Sequence, residues 1–284
     1  MNGTSERLLA VARGIAPAYA TNPEVAAVLV GGSTARGHAD RWSDLELGIF
    51  WAAVPTEGAR TATAEAAGAI DRRLYPDACL PETREEDYVI DGVKVDVAHL
   101  AVDAADRVIS DVTERGDPTV AKHVLVSTVR HGLVLHGAAL LARWRVSADA
   151  YPDALARAMV EQHLVFGPHW WLEMLAERDD LPYLYQLLCR VEESVLGALL
   201  ALNRVYAPSA TLKWAEWIAG ELAVAPPDLG GRMKRVFRAD PRDGVQEARR
   251  LIEETVDLVA AHLPSFDTGP VRARLMQPPR GHVA

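Results

Sequence analysis

The sequence predicts an α+β protein in two parts: a mixed sheet flanked by helices, followed by an all-helical second half. Three observations carry this. Short apolar runs and period-two alternation recur between residues 24 and 137, helical periodicity takes over from 152 to 262, and glycine and proline breaks punctuate both stretches. The change of character near 145–152 divides the chain into residues 1–148 and 149–284.

Taken in order, residues 5–20 place apolar positions at helical spacing and stop before Asn22-Pro23. EVAAVLVGG (24–32) is a continuous valine-rich run ending at two glycines, which reads as a buried strand and a turn. Leu45, Leu47 and Ile49 alternate with Asp44, Glu46 and Gly48, so a second strand follows. Residues 57–74, alanine-rich and free of proline, predict a helix.

DYVIDGVKVDVAHL (87–100) predicts two strand pieces joined at Asp91-Gly92, a favoured hairpin pair, with Asp96 on one face of the second piece. A helix is expected over 101–125 and a strand over 128–137. Helices then run on, with breaks at Gly167-Pro168, Asp180 to Pro182, Pro208 and Pro226-Pro227. The tail after Pro264, ending QPPRGHVA, is expected to be loosely ordered at its end.

Composition narrows the function classes. Apolar residues make up 49% and charged residues 24% of the 284, as in a folded soluble chain. No run approaches the roughly 20 apolar residues of a membrane helix, and the start lacks the basic-then-apolar order of a signal peptide, so a cytoplasmic protein without a membrane partner is expected. The net charge of −9 argues against nucleic acid as a partner and favours a cationic one. Cys79 and Cys189 lack metal-ligand spacing and read as two buried thiols. His99, His123, His131 and His136 show no zinc-binding spacing, and no G-x-S-x-G elbow is present.

The stretch GGSTARGHADRWSDLELGIF (31–50) carries the chemistry. A P-loop fails there because His38 stands where the phosphate-binding lysine belongs. An ordinary strand-turn-strand accounts for the glycines but sets Asp44 and Glu46 on one face of a strand whose other face is apolar. A metal site accounts for both: a D-x-E pair offers hard oxygen ligands to Mg²⁺, Asp96 on a later strand would complete the cluster, and backbone N–H groups at the tight turn would cradle phosphate with help from Arg36.

The string GSTARGHADRWSDLE resembles the signature of the DNA polymerase β-type nucleotidyltransferases: G-S-x-A-x-G, a polar loop, then S-D-x-[DE]. Gly32, Ser33, Ala35, Arg36, Gly37, Ser43, Asp44 and Glu46 match it. The resemblance implies a nucleotidyltransferase fold for the first part, Mg²⁺ held by Asp44 and Glu46, and a nucleotide triphosphate, ATP or another, held by Gly32 and Ser33. Asp96 would then be third ligand or general base. Glu46 stands where Asp is commoner, a feature that some antibiotic-modifying members share.

The helical half is similar in layout to the aminoglycoside nucleotidyltransferases, in which such a domain closes over the nucleotide. Within ALNRVYAPSATLKWAEW (201–217), Asn203, Tyr206 and Lys213 resemble an N-x-x-Y-x-P…K-W pattern of such relatives, which implies nucleotide contacts; a capped helix-turn-helix with a surface lysine accounts for the same residues. Trp170 and Trp171 suit a stacking wall or a helical core, and Glu161 and Glu173 suit an amine, a hydroxyl proton or a solvated face. The expected activity is transfer of AMP from ATP to a hydroxyl of a small molecule, an aminoglycoside-like cation first. The alternatives are a protein or RNA acceptor, as in toxin–antitoxin systems, and a catalytically silent nucleotide-binding protein.

Overall fold

The computed structural model describes residues 1–76, 78 and 80–279. Residues divide into two compact units, Met1–Ala150 and Tyr151–Ala284. The first is α+β. In order it comprises α1 (Gly3–Ala20), β1 (Val25–Val30), α2 (Gly32–Arg36), β2 (Leu45–Trp51), α3 (Glu57–Ala66), β3 (Ile70–Tyr75), β4 (Arg84–Ile90), β5 (Val93–Ala101), α4 (Val102–Thr113), α5 (Val120–His131), β6 (Leu133–His136) and α6 (Ala138–Asp149).

The strands form one mixed sheet in the order β3-β4-β5-β2-β1-β6. β2 and β5 run parallel, and every other neighbouring pair is antiparallel. Alternation decides which residues meet which layer. Leu45, Leu47 and Ile49 of β2 and Val93, Val95 and Val97 of β5 turn to one face, where Leu8, Ala12, Ile15 and Tyr19 of α1 close the core. On the opposite face Phe50 meets Trp144 of α6 edge-on, with ring centroids 4.8 Å apart. Asp91 and Gly92 both take positive φ, which lets a two-residue turn join β4 to β5.

Three expectations need correction. The helix over 57–74 ends at Ala66, because Gly68 takes φ +85 and the chain then turns into β3. β3 is an edge strand exposed along most of its length, so it carries no apolar alternation to announce it. The helix over 101–125 is two helices, parted by a turn in which Gly116 takes φ +69 and Pro118 supplies no N–H. The strand over 128–137 shrinks to β6, since residues 128–131 are the last turn of α5.

The second unit is helical: α7 (Asp153–His163), α8 (His169–Glu177), α9 (Leu181–Leu202), α10 (Ala215–Gly220), α11 (Leu229–Arg238), α12 (Pro241–His262) and α13 (Gly269–Leu275). α9 is its axis, packed on α7, α8, α11 and α12. Its buried stripe is Leu184, Leu188, Glu192, Val195 and Leu199, at spacings of three and four. Cys189 falls beside that stripe and is exposed, against the expectation of a buried thiol; Cys79 lies outside the described residues. α13 lies in the tail after Pro264, and the last residues of the end expected to be loose, 280–284, lie outside the described residues. Among the described residues no helix is long and apolar enough to cross a membrane.

Candidate active site

Strand register lines up the acidic residues. Glu46 of β2 is paired with Asp96 of β5, and Asp96 with Asp87 of β4. Paired residues share a face, so three carboxylates form a row across the sheet on the face away from α1. Asp44 and Lys94, each two residues earlier, continue the row on that face.

The side chains then sort themselves by charge. The Lys94 ammonium lies 2.5 Å from Asp96 Oδ1, 3.6 Å from Asp44 Oδ2 and 3.8 Å from Asp87 Oδ2. The Asp87 carboxylate also accepts a 2.5 Å hydrogen bond from the Tyr75 hydroxyl. Burial and the adjoining Asp44 carboxyl push Asp96 up to about 6, against the pull of Lys94.

Glu46 leaves this group and turns toward the glycine turn. The backbone N–H of Gly31 donates to the Glu46 carbonyl at 2.9 Å, which holds the turn against β2. A Cβ on Gly32 would stand 2.1 Å from Glu46 Oε2, and Gly32 has φ +55. Conformation favours glycine at 32, and a side chain there would displace the end of Glu46. Gly32→Ala is expected to lose about 1–3 kcal/mol of stability and to push the Glu46 carboxylate aside. Urea unfolding of the variant checks this, and an unchanged midpoint would contradict it.

Ser33 lies in α2, where its carbonyl accepts from the His38 N–H at 3.1 Å. Arg36, at the end of α2, donates to Ser127 Oγ on α5 at 2.8 Å. His131 lies in the same field: burial first, then the charges of Arg36, Arg130 and Arg145, push it down to about 4. This corner is thus cationic, the opposite of the carboxylate row, and suits an anion such as a phosphate.

Among the described residues no group of three or more His, Cys, Asp or Glu side chains is placed to hold a metal ion. Of the expected trio of Asp44, Glu46 and Asp96, Glu46 and Asp96 share one strand register, and Asp44 brings its carboxyl to Asp96. Lys94, Asp87 and Tyr75 were missed. For Lys94 a signal existed, since period two places it on the face of Asp96; Asp87 and Tyr75 join only through pairing across β3, β4 and β5.

Comparison with known proteins adds three findings. The profile of a domain of unknown function, DUF4037, matches residues 119–215. No curated protein matches the chain. Among solved structures, a nucleotidyltransferase-like protein from Exiguobacterium sibiricum is similar at 12% identity, with 92% of this chain and 78% of that one covered and a TM-score of 0.37. A likeness at that level leaves the site to be argued from its own geometry.

The residues expected to contact nucleotide from the helical half lie in the second unit. Asn203 caps α9, and its side-chain amide clamps Val224 in both directions at 2.8 Å while also donating to the Leu199 carbonyl. That amide is spent on backbone. Tyr206 is 2% exposed with its ring 4.9 Å from Tyr151, so it offers no open face to a base. Lys213 is exposed in the loop before α10. Glu173 and Glu161 pair with Arg249 and Arg157 respectively. Trp170 is half-buried, and Trp171 borders a cavity of about 170 Å³ together with Phe166, Leu172 and Ile252.

Proposed function

We propose that the chain is a Mg²⁺-dependent nucleotidyltransferase that moves a nucleoside monophosphate, AMP from ATP, onto a hydroxyl of a small molecule in the cytoplasm. The observation that carries this reading is the approach of Asp44, just before β2, to Asp96 on the parallel neighbour β5, beside a glycine turn against which the Glu46 carboxylate lies. Crowded hard oxygen donors suit a hard divalent cation, and the Lys94 ammonium stands in for one there. The residues therefore fit the ion.

Asp44 and Asp96 would hold Mg²⁺, with Glu46 in the same register row. Once bound, the ion would neutralise phosphoryl oxygens and the departing pyrophosphate. The chain's own groups do the rest. The Gly32-Ser33 turn and the cationic corner around Arg36 bind the triphosphate. In the alternative arrangement, with Asp96 outside the ligands of the ion, its carboxylate would take the proton of the acceptor hydroxyl. The acceptor oxygen then bonds to the α-phosphorus as the bond to the β-phosphate oxygen breaks.

An acidic chain of net charge −9 suits a cationic acceptor, and an aminoglycoside-like compound is the first choice. Incubation with α-labelled ATP, Mg²⁺ and a panel of aminoglycosides and other polyhydroxyl amines is expected to yield a labelled drug. Asp44→Asn should cut the transfer at least about a hundredfold. Label on a protein band with no labelled drug would move the acceptor to a macromolecule. A second reading, a silent nucleotide-binding protein, draws on the placement of Lys94 among the carboxylates; it requires ATP-analogue binding that is indifferent to Mg²⁺ and no transfer to any acceptor.

A further inference from the structure

We infer that Lys94 is a built-in competitor for the cation drawn to the Asp44–Asp96 pair, so that a divalent ion enters only by displacing its ammonium. The inference rests on the nucleotidyltransferase reading and concerns how that site admits its metal. Lys94 reaches carboxylates from three directions: Asp96 on its own strand, Asp44 just before β2, and Asp87 on β4. The oxygens it engages include Asp96 Oδ1 and Asp44 Oδ2, so the ammonium and a metal ion compete for the same donors.

Lys94 is also free to leave. Its side chain is 48% exposed, and the carboxylates of Asp44, Asp87 and Asp96 are its ionic contacts. Half-exposed ion pairs hold a lysine weakly, and its four-carbon stem lets the charge swing into solvent. Asp87 stays in place when this happens, because Tyr75 holds its carboxylate. While the ammonium remains, it neutralises the field that would draw the ion and adds a repulsion that the ion must overcome.

The test uses Mn²⁺ as a probe of a hard-oxygen site, titrated without nucleotide at low salt and followed by the electron paramagnetic resonance of the free ion. Lys94→Met is expected to bind Mn²⁺ at least about tenfold more tightly than the wild type. Lys94→Arg, which keeps the charge, should bind like the wild type, and Lys94→Met/Asp44→Asn should lose the gain. Lys94→Gln serves as a second neutral variant should the methionine perturb folding. If both neutral variants bind no more tightly than the wild type, while the wild type binds Mn²⁺ together with an ATP analogue, the competitor role is wrong and the nucleotidyltransferase reading stands. If no protein binds Mn²⁺ even with the analogue, the metal site and the inference fail together.

Discussion

Glu86→Ala is expected to lower the unfolding free energy by about 3–5 kcal/mol, the range for breaking a buried ion pair from one side. Glu86 lies on β4 with a fully buried side chain and accepts from Arg60 at 2.6 Å and from Arg72 at 2.6 and 3.2 Å. His99 Nε2 stands 3.2 Å away. Trp51 donates its indole N–H to His99 Nδ1 at 3.0 Å, which leaves the imidazole proton on Nε2, facing the carboxylate. One carboxylate thus ties α3, β3, β4 and β5 together. Removing it strands the buried Arg60 guanidinium and takes from the part-buried Arg72 its carboxylate partner.

The same group contributes to the acid sensitivity of the fold. Although burial works against it, contacts with His99 and Arg72 hold the Glu86 carboxyl down at about 2, below its ordinary 4.5. A carboxyl with a depressed value stabilises the fold at pH above 4.5, and that contribution is lost as pH falls from 4.5 toward 2. Thermal melts of wild type and Glu86→Ala should therefore converge as the pH approaches 2. Equal melting temperatures at pH 7 would show that the network contributes nothing.

Glu192→Met is expected to act in the opposite sense and stabilise the second unit. Glu192 occupies the buried stripe of α9, is 1% exposed, and neither carboxylate oxygen has a hydrogen-bond partner among the described residues. Burial, with a smaller push from Glu247, raises its carboxyl to about 8. A raised acid weakens the fold as pH climbs from 4.5 to about 8, by about 1.4 kcal/mol per pH unit at most. Methionine keeps the length and removes the polar head, so the gain should grow with pH across that window and amount to a few kcal/mol near pH 8. Denaturant unfolding at pH 5 and pH 8 measures it. A gain of the same size at both values would disconnect it from titration.

The two carboxylates show why a sequence is read unevenly. Glu86 and Glu192 both sit where periodicity calls for an apolar residue. No spacing rule says that one meets two arginines from elsewhere in the chain and the other meets none. β3 was illegible for a related reason: as an edge strand exposed along most of its length, it has no buried face to impose a period of two. The helix break near Gly116 and Pro118, by contrast, was open to reading, because both residues oppose helix by their own backbone chemistry.

What the sequence determined by itself is local. Continuous and alternating apolar runs define β1, β2 and the β4–β5 hairpin, helical stripes define the second half, and the glycine turn with Asp44, Glu46 and Asp96 marks the region of interest. Tertiary structure decided the partners. The parallel pairing of β2 with β5 put Asp96 beside Glu46, yet side-chain direction sent Glu46 to Gly32 and left Asp96 with Asp44, Lys94 and, across the next strand, Asp87. Periodicity depends on each residue's own backbone and says which face a side chain takes. The charge that meets it there depends on strand order and register, which long-range pairing alone sets.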